Sequence, residues 1–98
     1  MNQLKLVTSS VSFNPQIRGR QRRIEMILDS LHIPYMVVDI SVDKHYRQLA
    51  RGNVPALFVD EEFIGNFEDF ESAVDGGLLF EFLRMPPEPE FAPPILAT

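Results

Sequence analysis

The chain has 98 residues, a net charge of −5, 45% apolar residues and no cysteine. Its length supports one small domain, with a core near the lower limit for folding without disulfides or metals. Without cysteine, neither a disulfide framework nor a thiolate metal site can form, and we expect no metal site. The negative charge disfavours nucleic acid as the main partner. No apolar run approaches the ~20 residues of a membrane span, so we expect no membrane binding. We further expect the protein to be cytoplasmic and monomeric.

The first strand and the first helix are indicated by alternation and by a capping signal. Residues 4–8 alternate and then become rich in β-formers, which is typical of a strand. Asn14 followed by Pro15 predicts a helix start, with Asn as the N-cap and Pro at the first helical position. Apolar residues at helical spacing extend this helix, and Pro34 requires it to end near Leu31.

The next two elements are a strand and a short helix. Residues 35–40 form an apolar run closed by Asp39, a pattern typical of a strand buried on both faces. Residues 43–51 carry Tyr46, Leu49 and Ala50 at helical spacing, which predicts a helix with these side chains on its apolar face. The Gly-Asn pair at 52–53 ends that helix.

A hairpin and a broken helix complete the domain. The apolar runs 56–59 and 63–64 flank the acidic break 60–62, which predicts two short strands joined by a tight turn. Pro55 opens the first of these strands, where its missing N–H costs least. Gly65 is expected to break the second strand, and an amphipathic helical segment should follow and split at Gly76 and Gly77. The order is strand, helix, strand, helix, strand, strand, helix, so a right-handed parallel crossover should precede an antiparallel edge hairpin.

Two short motifs in the second half carry a resemblance to a known superfamily. Asn53-Val54-Pro55 before a strand, and Ile64-Gly65-Asn66-Phe67-Glu68-Asp69 before a helix, resemble the Thr-Val-Pro and Ile-Gly-Gly-x-x-Asp motifs of the glutaredoxins. The resemblance implies an α/β, thioredoxin-like (glutaredoxin-like) three-layer sandwich with a four-stranded mixed sheet and flanking helices. The predicted domain covers residues 1–85, and residues 86–98 are expected to form a flexible proline-rich tail.

The chain lacks the residue on which glutaredoxin chemistry depends. Glutaredoxins need a thiolate at the start of their first helix. Alignment places Arg18-Gly19-Arg20-Gln21 where monothiol glutaredoxins have Cys-Gly-Phe-Ser, so Arg18 takes the position of the nucleophile. We therefore expect no enzymatic thiol–disulfide exchange.

Other segments resemble the SH3-domain-binding glutamic-acid-rich-like proteins, cysteine-poor relatives of the glutaredoxins. The matching segments are 27–29, 33–35, 38–41, 65–70 and 82–83. This resemblance implies a small non-catalytic adaptor or modulator that binds protein partners. The chain departs from that family twice: the proline-rich segment before the third strand is reduced to Asn53-Val54-Pro55, and a proline-rich tail replaces the glutamate-rich one.

A vestigial glutathione groove is the alternative function. The resemblance to glutaredoxins assigns Val54 and Pro55, Gly65 and Asp69 to a weak glutathione site, and Arg18 or Arg20 would receive a carboxylate. No other cofactor is expected. The structural alternatives are that Val54-Pro55 is a cis-proline turn and that Asp69 caps the following helix.

A cluster of arginines and the tail are the candidate partner-binding segments. Arg18, Arg20 and Arg22 lie in the first half of a helix, where positive charges oppose the helix dipole. An acidic partner would relieve that penalty, whereas the alternative is a solvated face paired with Glu25 or with the acids at 60–62. Pro86 and Pro89 form a PxxP spacing that predicts an SH3-containing partner. The alternative for the tail is that Phe91, Ile95 and Leu96 rest on the domain.

Overall fold

The computed structural model describes residues 3–11 and 14–85, which form four strands and four helices. The strands are β1 (Leu4–Thr8), β2 (Met36–Asp39), β3 (Ala56–Val59) and β4 (Glu62–Asn66). The helices are α1 (Pro15–Ser30), α2 (Lys44–Ala50), α3 (Phe67–Asp75) and α4 (Leu79–Phe82). The predicted tail lies outside the described residues. Its expected flexibility and the predicted binding of an SH3-containing partner through Pro86 and Pro89 therefore stay predictions.

The strands form one mixed sheet in the order β2-β1-β3-β4. β1 pairs in parallel with β2, through register partners such as Leu6 and Val37. β1 pairs antiparallel with β3, where Leu6 lies opposite Leu57. β3 in turn pairs antiparallel with β4. The predicted parallel crossover and edge hairpin are therefore confirmed. A two-residue turn at Asp60 and Glu61 closes the hairpin.

Alternation along the central strands divides the core between the two faces of the sheet. Leu4 and Leu6 of β1 belong to a buried cluster with residues of α1, α3 and α4. Val7, which follows Leu6 and points to the other face of the sheet, belongs to a second cluster with Tyr46 and Ala50 of α2. Two helical layers thus enclose the sheet, which confirms the three-layer sandwich.

Capping residues determine where α1 and α2 begin. Asn14 accepts a hydrogen bond from the Gln16 N–H at 2.9 Å, and Pro15 is the first helical residue, as predicted. The helix ends at Ser30, one residue before the expected Leu31. In α2, Asp43 caps the N-terminus by accepting from the Tyr46 N–H at 3.0 Å, and the helix ends at Ala50.

Two predictions about strands are wrong. β2 is not buried on both faces, because it is an edge strand whose Met36 and Val37 are 49% and 47% exposed. Gly65 does not break the second strand of the hairpin: β4 continues through it to Asn66, and a register irregularity lies opposite, between Leu57 and Phe58. Both errors concern neighbours in the sheet, which the local sequence does not specify.

Candidate functional site

The loop before β3 forms the floor of a small cleft. The Val54–Pro55 peptide bond is cis, and Pro55 is buried. The Val54 N–H donates to the Gly52 carbonyl at 3.1 Å. The cleft has a volume of about 150 Å³, which is below the range usual for ligand pockets. Its lining consists of Arg20, Gly52, Asn53, Val54, Pro55, Asn66, Phe67 and Glu68.

Asp69 closes the N-terminus of α3. Its carboxylate accepts from the Asn66 N–H at 3.0 Å, and the Asn66 side chain accepts from the Asp69 N–H at 2.9 Å. This reciprocal capping box satisfies two N–H groups at the start of the helix. Asp69 therefore has the capping role that the sequence offered as an alternative, and it is not among the residues that line the cleft.

Gly65 lies beneath the start of α3 and has a packing role. It is buried, and a Cβ placed there would lie 2.7 Å from the Phe82 ring and 2.8 Å from the Asp69 Cβ. Only a residue without a side chain fits between these groups. Of the four residues that the resemblance assigns to a glutathione groove, Val54 and Pro55 line the cleft, whereas Gly65 and Asp69 do not.

A peptide-like ligand such as glutathione would meet groups that are already bonded. The Val54 N–H donates to Gly52, and the Asp69 carboxylate accepts from the Asn66 N–H. Arg20, a candidate for the ligand carboxylate, lies 5.0 Å from the centre of the Phe67 ring and 3.7 Å from a Glu68 oxygen. Binding would have to exchange these internal contacts for new ones, so glutathione binding stays a prediction of weak affinity.

The arginines of α1 divide into paired and unpaired side chains. Arg20 and Arg23 contact Glu68 and Glu71 of α3, so their acidic partners come from α3 and not from Glu25 or the hairpin, which were the partners that the sequence suggested. Hydrogen bonding to Glu71 raises the pKa of Arg23. Such exposed ion pairs contribute about 0–1 kcal/mol each.

Arg18 and Arg22 are exposed on α1 and, within residues 3–11 and 14–85, their side chains form neither an ion pair nor a hydrogen bond. Together they line a shallow surface depression whose other walls are Ser10, Gln21 and Glu25. Gln21 is occupied, because it accepts from the buried Thr8 hydroxyl at 2.6 Å and donates to Glu25 at 3.3 Å. Two guanidinium groups are thus presented to solvent side by side.

A carboxylate that the sequence did not single out joins two loops beside this depression. Asp39, at the end of β2, accepts from the Ser10 N–H at 3.1 Å and from the Ser41 N–H at 2.9 Å. The Ser10 and Ser41 hydroxyls lie 3.2 Å apart. The bond from the Ser41 N–H is local, because an Asp side chain often accepts from the backbone two residues on, and such a turn can be predicted from sequence. The bond to Ser10 is not local, and only the fold brings it about.

The Asp39 carboxylate should make stability depend on acidity. Hydrogen bonds, first from the Ser10 side chain and then from backbone N–H groups, hold the pKa of Asp39 well below its ordinary 3.8. A lowered pKa in the folded state stabilises the fold above the unfolded-state pKa, and this stabilisation is lost as the pH falls through the folded-state value. We expect Asp39→Asn to destabilise the protein near neutral pH, and the difference from the wild type to narrow below about pH 4.

Thermal unfolding of both proteins between about pH 2 and pH 7 measures this effect. Asparagine preserves the shape of the side chain and one acceptor oxygen, so the comparison isolates the charge. Other carboxylates titrate equally in both proteins. Parallel profiles that keep a constant gap across the acid range would contradict an ionised Asp39 as the source of the stabilisation.

The fold and the cleft together define a class of protein. A β2-β1-β3-β4 mixed sheet, a cis-proline before β3 and helices on both faces define a thioredoxin-like protein of the glutaredoxin type, and this one has no cysteine. The chain belongs to the SH3-binding, glutamic acid-rich protein family, whose model matches residues 2–86.

Individual relatives agree with this assignment. A Drosophila melanogaster SH3 domain-binding glutamic acid-rich protein homolog is 32% identical over 103 residues, which cover 86% of this chain and 65% of the relative's length. Among solved structures, C. albicans actin interacting protein Aip5 is 21% identical with a TM-score of 0.74, and the match covers 84% of this chain and 88% of that one. A buckwheat glutaredoxin–glutathione complex is 18% identical with a TM-score of 0.60, and the match covers 85% of this chain and 77% of that one. At these identities the two solved structures show the fold alone.

Within the described part of the chain, no helix is both long enough and apolar enough to cross a membrane.

Proposed function

We propose that this chain is a non-catalytic protein-interaction module, an adaptor or modulator, which binds an acidic segment of a partner through Arg18 and Arg22 of α1. The observation that carries the proposal is that both guanidinium groups are exposed and unpaired within the described residues. The chain supplies no thiolate for redox catalysis, because it has no cysteine. The names of its relatives, SH3 domain-binding and actin interacting proteins, support binding to other proteins.

Charge makes this face distinct from the rest of the surface. The chain carries 14 acidic and 9 basic residues, so a basic cluster is the part of the surface that best attracts an acidic partner. Arg18 lies close to the N-terminus of α1, where its charge opposes the helix dipole, and Arg22, four residues later, repels it. A partner carboxylate that binds them would remove both unfavourable terms at once, and the guanidinium fork suits that geometry.

Reversing the two unpaired charges tests the proposal. We expect the double variant Arg18→Glu, Arg22→Glu to lose at least ~tenfold in partner affinity, about 1.4 kcal/mol. Neither side chain makes an internal bond in the described structure, so the melting temperature should stay close to that of the wild type. Co-sedimentation with actin filaments is the first assay, because one structural neighbour carries that name; quantitative capture of partners from lysate is the second.

A control variant of equal charge separates the site from net charge. Lys44→Glu on α2, compared with each single variant Arg18→Glu and Arg22→Glu, makes the same change of charge away from α1 and leaves Arg51 in place. Partners that are lost with the α1 variants and retained with the α2 control support the proposal. Equal retention by both variants, or equal loss with both, would contradict recognition through Arg18 and Arg22.

A further inference from the structure

A second surface, on the opposite face of the sheet from α1, has an uncovered apolar cleft. α2 covers the middle of the sheet but leaves the edge strand β4 open, so that Phe63 is 44% exposed. Helical spacing predicts Leu49 on the apolar face of α2 with Tyr46 and Ala50, yet it is 39% exposed. Leu49 and Phe63 line one cleft of about 330 Å³, together with Gln48, Ala50, Arg51 and Asn53.

The charge around this cleft restricts what can occupy it. Among the described residues that line it, Arg51 is the sole ionisable one. Two neighbouring acids of the hairpin already have partners: Glu61 lies 3.4 Å from the His45 ring nitrogen, and Glu62 is bonded to Arg84. An occupant should therefore bring an apolar side chain for the floor and a carboxylate for Arg51.

The chain itself supplies such a segment, which begins beside the same edge strand but on the other face of the sheet, where Met85 packs against the cluster of α1, α3 and α4. Arg84 donates two hydrogen bonds to Glu62, at 2.7 and 2.9 Å, which holds the end of the domain against the first residue of β4. Phe63 is the next residue of that strand. The thirteen residues 86–98 follow, and they contain Glu88, Glu90 and Phe91 but no lysine or arginine.

The length of the connection is sufficient. Phe91 lies six positions after Met85, and an extended proline-rich segment advances ~3.1 Å per residue, or about 19 Å in all. Since β4 is an edge strand, the segment passes around that edge to reach the cleft, and its reach is several times the ~4.8 Å spacing between neighbouring strands. Phe91 is also the only aromatic residue beyond Met85, and it directly follows an acid.

We propose that the proline-rich segment 86–98 folds back on its own domain and docks in the Leu49–Phe63 cleft. Phe91 fills the apolar floor, and the preceding Glu88 and Glu90 face Arg51. Because the segment is tethered, docking has a high effective concentration and needs little intrinsic affinity. The segment then covers the apolar surface that α2 leaves open, and it withholds Pro86 and Pro89 from other partners while it is docked.

Backbone amide spectra of the full-length chain test this docking. We expect Phe91→Ala to shift the amide signals of Leu49, Arg51 and Phe63, while signals of α1 and α3 stay in place. Arg51→Glu should release the segment as well, and so shift the signals of residues 88–91. Leu96→Ala is the matched control, because it removes an apolar side chain from the same segment without touching the proposed anchor.

Dilution distinguishes the segment from other occupants. A tethered contact does not depend on protein concentration, so the cleft signals should be unchanged on ~tenfold dilution. Signals that move with dilution would assign the cleft to a second copy of the chain and overturn the proposal. It would also be overturned if Phe91→Ala left every cleft amide in place, or if Leu96→Ala moved them equally. None of these outcomes depends on the acidic partner proposed for α1.

Discussion

Replacing Phe70 with alanine is expected to lower the free energy of unfolding by about 3–5 kcal/mol. Phe70 is fully buried in α3, in the cluster that joins α1, α3 and α4 to the sheet. Removing the ring loses its transfer free energy and leaves a cavity that neighbouring strands and helices cannot fill. Since small domains have a total stability of about 5–15 kcal/mol, this one change should remove a large part of it.

Chemical denaturation measures the loss, and Phe63→Ala is the matched control. Phe63 undergoes the same chemical change on the other face of the sheet, but its ring is 44% exposed. The control should lose markedly less than the Phe70 variant, because less apolar surface is returned to water. Equal losses for the two variants would mean that the cluster around Phe70 is not the main source of stability.

The second large effect is expected at Gly65. Alanine there would place a methyl group 2.7 Å from the Phe82 ring and 2.8 Å from the Asp69 Cβ. The ring can move, but Asp69 is held by its capping bonds with Asn66. Overpacking of this kind costs about 1–3 kcal/mol. We expect Gly65→Ala to destabilise the protein by that amount, with no requirement for a ligand.

Gly19→Ala is the control, since it makes the same substitution in an open place. Apart from its chain neighbours and the nearby backbone of its own helix, no described atom lies within 4 Å of a Cβ at Gly19, which is exposed on α1. Alanine favours a helix over glycine by ~1 kcal/mol, so this variant should be slightly more stable than the wild type. Denaturation midpoints that fall alike in both variants would contradict the packing explanation for Gly65.

A double variant tests the contact directly. Phe82→Leu removes part of the ring that faces Gly65, so Gly65→Ala should cost less in that background than alone. A coupling of this sign identifies the glycine as a packing residue. The resemblance to the glutaredoxin motif assigns the same glycine to a ligand groove, and stability measurements without ligand distinguish the two roles.

The sequence was informative about features that depend on neighbours along the chain. The N-cap at Asn14, the hairpin turn at Asp60 and the break at Gly76 all require only a few consecutive residues, and all three are present. The two motifs around Val54 and Asp69 indicated the fold through their resemblance to the glutaredoxins, and the resemblance of other segments, such as 27–29 and 38–41, indicated the family. Composition alone excluded a thiolate site, because the chain has no cysteine.

Tertiary structure decided which of the candidate residues share a surface. Only the fold shows that Arg20 and Arg23 pair with α3, and that Arg18 and Arg22 have no such partner in the described chain. It also places β2 at an edge and leaves the Leu49–Phe63 cleft open. Burial and pairing depend on residues distant in sequence, whereas local patterns report only which backbone conformation a segment prefers. The sequence therefore determined the elements and their class, and packing determined the surfaces available for binding.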